Sequence, residues 1–163
     1  MVKKIAVGSD HGGFALKEMV KKTITGCGGK VEDVGTRSDE PCDYPAFGFK
    51  AAAKVAEGKA SGAVIICKTG IGMAIVANKL PGVRAGVCNS TADALTARQH
   101  NDVNVLVLAA SKVSGKKAGE IVKVWMRTKA LKGRHARRVR QIRELEKKLS
   151  CVPRFRGDDF NEE

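Results

Sequence analysis

The sequence predicts an α/β domain built on a parallel sheet with helices on both faces. Short apolar runs alternate with longer segments of helical period along the chain. One run, Ala63-Val64-Ile65-Ile66, is apolar at every position, as a strand buried on both faces must be. Polar, Gly-rich turns follow the first and third runs, where such sheets bind ligands at the carboxyl ends of their strands.

Residues 3–9 read as the first strand, too short an apolar run for a signal peptide. Asp10-His11-Gly12-Gly13 is the turn at its end. Phe14, Leu16, Met19, Val20 and Ile24 recur at helical spacing until the glycines of 26–29 stop the helix. A short strand at 31–34, a loop holding Asp43-Tyr44-Pro45 and a helix over 46–56 follow. The third strand is 63–67. Met73 to Lys79 is the next helical segment, broken by Pro81-Gly82, and 83–88 is the fourth strand. Asn89-Ser90-Thr91 offers an N-cap for a helix reaching Gln99. His100-Asn101-Asp102 leads into a fifth strand at 103–108. A helix over 115–127 and a strongly charged one over 134–149 complete the domain, 1–149. Residues 150–163 show no period and read as a loose tail.

The organising stretch is Cys67-Lys68-Thr69-Gly70-Ile71-Gly72-Met73-Ala74. A thiol and a hydroxyl end a strand, and a Gly-rich turn opens a helix whose first N–H groups suit an anion. By itself the stretch fits equally a plain turn with a buried cysteine. Placing strand ends at one edge gathers Asp10-His11, Cys67-Lys68-Thr69 and His100-Asn101 together, which favours a site. Several chemistries are excluded. Gly70-x-Gly72 lacks the third glycine of a dinucleotide fingerprint, and no Gly-Lys-Ser/Thr follows it. No arginine lies in the loop after Cys67, as a phosphatase would need, and the His and Cys spacing fits no zinc motif. Arg134 and Arg138, four apart, share one helix face and can grip a phosphate in two-pronged fashion.

Composition bounds the rest. The chain has 163 residues, enough for one domain with a real core. Five cysteines, an odd number with no C-x-x-C pair, point to reduced thiols and a cytoplasmic protein. No apolar run approaches a membrane span of ~20 residues. The net charge of +13 implies anionic partners: nucleic acid, a membrane surface or phosphorylated small molecules. With 4% aromatic residues, stacking platforms for single-stranded nucleic acid are scarce, so a basic nucleic-acid-binding module is the remote alternative.

Six ordered motifs resemble those of type B ribose-5-phosphate isomerases and the related galactose- and allose-6-phosphate isomerases. They are Ser9-Asp10-His11-Gly12-Gly13-Phe14; Asp43-Tyr44-Pro45; Cys67 to Gly72 with Ala77-Asn78-Lys79; Pro81-Gly82-Val83-Arg84-Ala85; Arg98-Gln99-His100-Asn101-Asp102; and Gly133-Arg134-His135 with Arg138-Val139. The resemblance implies a Rossmann-like three-layer α/β/α domain with a five-stranded parallel sheet and an extended C-terminal helix. It implies a homodimer or tetramer with active sites at the subunit interface, no metal and no organic cofactor. The implied reaction interconverts ribose 5-phosphate and ribulose 5-phosphate in the pentose phosphate pathway, with a six-carbon sugar phosphate as the alternative substrate.

The implied roles are these. Cys67 is the base, Thr69 assists at the oxygens, and the backbone N–H groups of Gly70, Ile71, Gly72, Met73 and Ala74 stabilise the enediolate. His100 with Asp10 opens the sugar ring, His11, Arg134 and Arg138 hold the phosphate, and Tyr44 and Asn101 touch the sugar. Lys68 stands where the family usually has glycine. Either it bears left-handed backbone strain, or its ammonium favours the Cys67 thiolate.

Overall fold

The computed structural model describes residues 2–150. The expected tail beyond Ser150 lies outside the described residues. The elements in order are β1 (Lys4–Ser9), a 3-10 turn (His11–Gly13), α1 (Phe14–Gly26), β2 (Lys30–Asp33), α2 (Tyr44–Ala56), β3 (Gly62–Cys67) and α3 (Ile71–Ala77). Then come β4 (Ala85–Val87), α4 (Thr91–Asn101), β5 (Val105–Ala109), α5 (Gly115–Arg127) and α6 (Arg134–Ser150). All pairings are parallel, in the order β2-β1-β3-β5-β4.

The sheet is a sandwich filling. Side chains alternate across it with period two. Val64, Ile66, Leu106 and Leu108 face a cluster with Val20, Ile24, Ile121 and Trp125 from α1 and α5. Ile65, Cys67, Val105 and Val107 face Ala51, Ala52, Met73 and Ala77 from α2 and α3. Every residue of β3 is buried. Burying each large aliphatic side chain there contributes about 1.5–3 kcal/mol. That is why the continuously apolar run becomes the central strand.

Several boundaries differ from the sequence reading. Helix α2 starts at Tyr44, with Pro45 in its first turn, where the missing N–H costs nothing. Strand β4 keeps only three residues, because Leu80 C=O accepts the N–H of Val83 in a turn and Arg84 C=O bonds the backbone of Asn104 and Val105. Helix α3 begins at Ile71, two residues before the expected Met73. Helix α4 runs on through His100 to Asn101 and stops at Asp102, whose φ of 47° is left-handed. Its start is fixed by Ser90 Oγ accepting from the Asp93 N–H while Asp93 accepts from the Asn89 N–H.

One buried charge ties the first βαβ unit together. Lys17, 1% exposed, pairs with Asp33 at the end of β2 and donates to the Thr36 carbonyl. Burial pushes the Asp33 carboxyl up, but hydrogen bonds from Lys21, Lys17 and the Gly35 N–H outweigh it and hold the group below its ordinary value. Its stabilising contribution is therefore complete above the unfolded carboxylate value and is lost as pH falls through the lower folded one. Asp33→Asn leaves Lys17 buried with only Glu18, at 3.8 Å, as counter-charge. Urea unfolding at neutral pH should show a loss of about 3 kcal/mol, with a shallower fall in stability between pH 5 and 3. An unchanged midpoint would mean that Lys17 is neutralised elsewhere.

Candidate active site

The order β2-β1-β3 makes a switch point between β1 and β3, since the chain turns one way after β1 and the other way to reach β3. Ser9 pairs with Ile66 there, so Asp10 and Cys67 leave the sheet side by side. Asp10 is buried, and one carboxylate oxygen accepts the Gly13 N–H at 3.0 Å, which shapes the turn that holds His11. Nδ1 of His11 lies 3.1 Å from both the carbonyl and the N–H of Cys42. The tautomer selects between them: a protonated Nδ1 donates to the carbonyl, and a bare Nδ1 accepts the N–H. Lys17, through Thr36, anchors the loop that carries Cys42.

Cys67 is 5% exposed and its Sγ accepts the Gly70 N–H at 3.2 Å. Gly70 has φ 77°, a left-handed turn that folds its N–H back onto the sulfur. Of the five N–H groups expected to face an enediolate, Gly70 is thus spent on Cys67 and Ala74 on the Gly70 carbonyl. The Ile71 N–H makes a loose 3.4 Å contact with Thr69 Oγ1. Only Gly72 and Met73 keep unpartnered N–H groups. The Met73 side chain is buried in the core, so Met73 offers the site its backbone alone.

Tyr44 lies over this turn. A Cβ on Gly72 would fall 2.4 Å from the tyrosine ring, so the close approach requires glycine. Lys68 is exposed, and Asp102 is the one described non-glycine residue with positive φ, so Lys68 carries no left-handed strain. Its carbonyl is held by the N–H and Oγ of Ser111, at 3.0 and 2.7 Å, a support that no local pattern signals. Cys88 is the contrasting thiol. Burial, with Asp93 adding, pushes it up to about 12, so it stays protonated.

His100 and Asn101 are not at this edge, which corrects the sequence reading. They end α4, and a helix leading into a parallel strand finishes at the strand's amino end. Strands of five and six residues separate His100 from Cys67 by about 15–20 Å at ~3.3 Å per residue. At the amino edge, Arg84 Nε donates to the Asn101 and Asp102 carbonyls, and the Asp102 carboxylate accepts from Arg84 and Arg98 at 2.9 and 2.8 Å. This fork fixes the end of α4. Sequence reasoning quoted both arginines in its motifs but gave them no role. Helix α6 brings Arg134 and Arg138 here, both exposed. The candidate residues of one chain therefore fall into two separate clusters. Asp10, His11, Tyr44, Cys67, Thr69 and Gly72 are at the carboxyl edge, and His100, Asn101, Arg134 and Arg138 are at the amino edge. Among the described residues, no three His, Cys, Asp or Glu side chains gather as a metal ion would require.

Comparison with known proteins gives the family. Residues 5–142 match the family described as Ribose/Galactose Isomerase. Ribose-5-phosphate isomerase B of Escherichia coli is 42% identical over 147 residues, 90% of this chain and 99% of the relative. The 4-deoxy-4-sulfo-D-erythrose isomerase of a Clostridium species is 40% identical over 126 residues, covering 77% and 79% of the two chains. The solved structure of Clostridium thermocellum ribose-5-phosphate isomerase B superposes with a TM-score of 0.87 at 44% identity, covering 90% of this chain and 99% of that one. The match runs from β1 into α6 and takes in both clusters, so the chain belongs to the ribose/galactose isomerase family.

Proposed function

We propose that this protein interconverts ribose 5-phosphate and ribulose 5-phosphate at sites completed by two copies of the chain, as a cytoplasmic enzyme of the pentose phosphate pathway. The observation that carries the reading is Cys67, held by the Gly70 N–H at the β1/β3 switch point beside two unpartnered N–H groups. Strong similarity to relatives named for this pentose supports the substrate. The four described cysteines are free, which fits a reducing compartment.

The chemistry follows from the side chains. As thiolate, Cys67 takes the proton from C2 and returns it to C1, so the double bond passes from C1=O to C2=O through an enediolate. The Gly72 and Met73 N–H groups donate to the oxygen on which negative charge develops. Thr69 hands a proton between O1 and O2. His11, Arg134 and Arg138 hold the phosphate, Tyr44 and Asn101 bracket the sugar, and His100 with Asp10 opens the ring before the proton moves.

These groups need a second copy, because His100 lies a full strand length from Cys67 within one chain. Two sets of exposed apolar side chains support a homodimer. Ile71 and Ile75 flank the Cys67 turn, and Ile142, Leu145 and Leu149 line α6. A two-fold pairing that covers them brings the carboxyl edge of one protomer to the amino edge of the other, twice over.

Replacing Cys67 with alanine should cut turnover by ~10²–10⁴, the usual worth of a positioned base, while leaving sugar phosphate binding intact. Turnover within threefold of the unaltered protein would remove Cys67 from the mechanism.

Arg138→Ala should lower kcat/KM for ribose 5-phosphate by about one to two decades, from the ~1.5–3 kcal/mol of a charge-assisted hydrogen bond. Unphosphorylated ribose should be affected far less; equal losses on both sugars would assign Arg138 to the fold.

Subunit mixing tests the shared site. Refolding Cys67→Ala together with His100→Ala makes about half the dimers mixed, each with one intact site. About a quarter of full activity should return. Mixed dimers verified by mass but as inactive as either parent would mean that both residues serve one site from one chain.

A further inference from the structure

His135 has no part in the reaction as drawn so far, yet it is built into the amino-edge cluster. It is 8% exposed and stacks on His100, with ring centroids 4.2 Å apart and planes 13° from parallel. Arg134 Nε–H points at His135 Nε2 at 3.4 Å, so the neutral ring carries its proton on Nδ1. That buried Nδ1 has no hydrogen-bond partner. Apart from that one long contact with Arg134, the ring is held by packing against His100. The charged groups around the pair are Arg134, Arg138, Arg140, Arg143 and Asp102, and the stack forms one wall of a cleft of about 300 Å³ between α4 and α6. Burial, the neighbouring His100, Arg134 and Arg138 all push His135 below the ordinary imidazole value. Two imidazolium rings at this separation, among arginines, cannot both persist. The buried ring, His135, is the one pushed toward the neutral form.

We propose that His135 is a positioning residue for ring opening: its flat face fixes the plane of the His100 imidazole and leaves the exchanging proton to His100. This rests on the reading of His100 as the ring-opening group. In that step the C1–O4 bond breaks and C1=O1 forms. O1 loses its proton and O4 gains one, and the net proton count is unchanged. Proton transfer at both oxygens is sensitive to the plane of the imidazole, because its lone pair and its N–H lie in that plane. A ring resting on a rigid aromatic face samples fewer planes than one facing an alkyl side chain or water.

The test compares His135→Phe, which keeps a flat face, with His135→Leu, which fills similar volume without one, and with His135→Ala. Two substrates separate the steps. Ribose 5-phosphate must be opened. Erythrose 4-phosphate, whose 4-hydroxyl is esterified, cannot close a furanose and needs no opening. On ribose 5-phosphate, the leucine and alanine variants should lose about tenfold in kcat with KM within twofold, and phenylalanine should restore kcat to within threefold. On erythrose 4-phosphate all three variants should stay within twofold of the unaltered protein. The same proteins labelled with ¹⁵N give a readout independent of turnover. His100 should show one sharp tautomer in the unaltered protein and in His135→Phe, and averaged signals in His135→Leu. Equal losses on both sugars, full activity in His135→Leu, or an unchanged His100 spectrum in that variant would each overturn the proposal. Failure of the reading beneath it looks different: His100→Ala would then keep its activity on ribose 5-phosphate.

Discussion

The polarity of a parallel sheet is the constraint on which the rest of this protein depends. When every strand runs the same way, each strand ends at one edge, and each connecting helix ends at the other. Cys67 ends a strand, while His100 ends a helix. The two residues are thereby held a strand length apart in any single chain. No loop adjustment closes that gap, since the strands between them are buried and fully hydrogen-bonded. The proposed division of the site between two copies of the chain follows from that one topological fact.

At the carboxyl edge, precision comes from backbone geometry. The left-handed turn at Gly70 aims an N–H at the Cys67 sulfur, and the bare Cα of Gly72 lets the Tyr44 ring close over the turn. Ser111 clamps the Lys68 carbonyl from the neighbouring β5 connection. At the amino edge, precision comes from charge. Asp102, in a conformation that costs a non-glycine residue of order 1 kcal/mol, is held by Arg84 and Arg98 together. Arg84 also caps the carbonyls at the end of α4. Truncating either arginine would free the helix end on which His100 sits.

The distribution of charge follows the same division. None of the arginines on α6 from Arg134 to Arg143 makes an ion pair with a carboxylate among the described residues, whereas Lys17, Lys21, Arg84 and Arg98 all do. Paired cations belong to the scaffold. The arginines of α6 from Arg134 to Arg143 are left without an acidic partner among the described residues, as residues proposed to take a phosphate would be.

Much of this was legible in the chain itself. Hydrophobic periodicity and Gly-rich turns gave the alternation of strands and helices, because each element must bury one face whatever its neighbours are. The turn after Cys67 and the pairing of Arg134 with Arg138 were readable because their geometry is set within a few residues. What the sequence could not supply was the edge on which His100 lies. Read as a loop leading to a strand, it joined the wrong cluster, since the end of α4 depends on Asp102 taking a left-handed φ that two distant arginines stabilise. The stacking of His100 on His135, the Cys42 contact of His11 and the spent N–H groups of Gly70 and Ala74 are likewise tertiary. They arise from segments 31 to 35 residues apart, or from a turn closing on itself, and no local pattern encodes them. The sequence by itself determined the family of elements and the chemistry each carries; only the packed chain decided which of them meet, because proximity in a parallel α/β fold is set by strand order and direction.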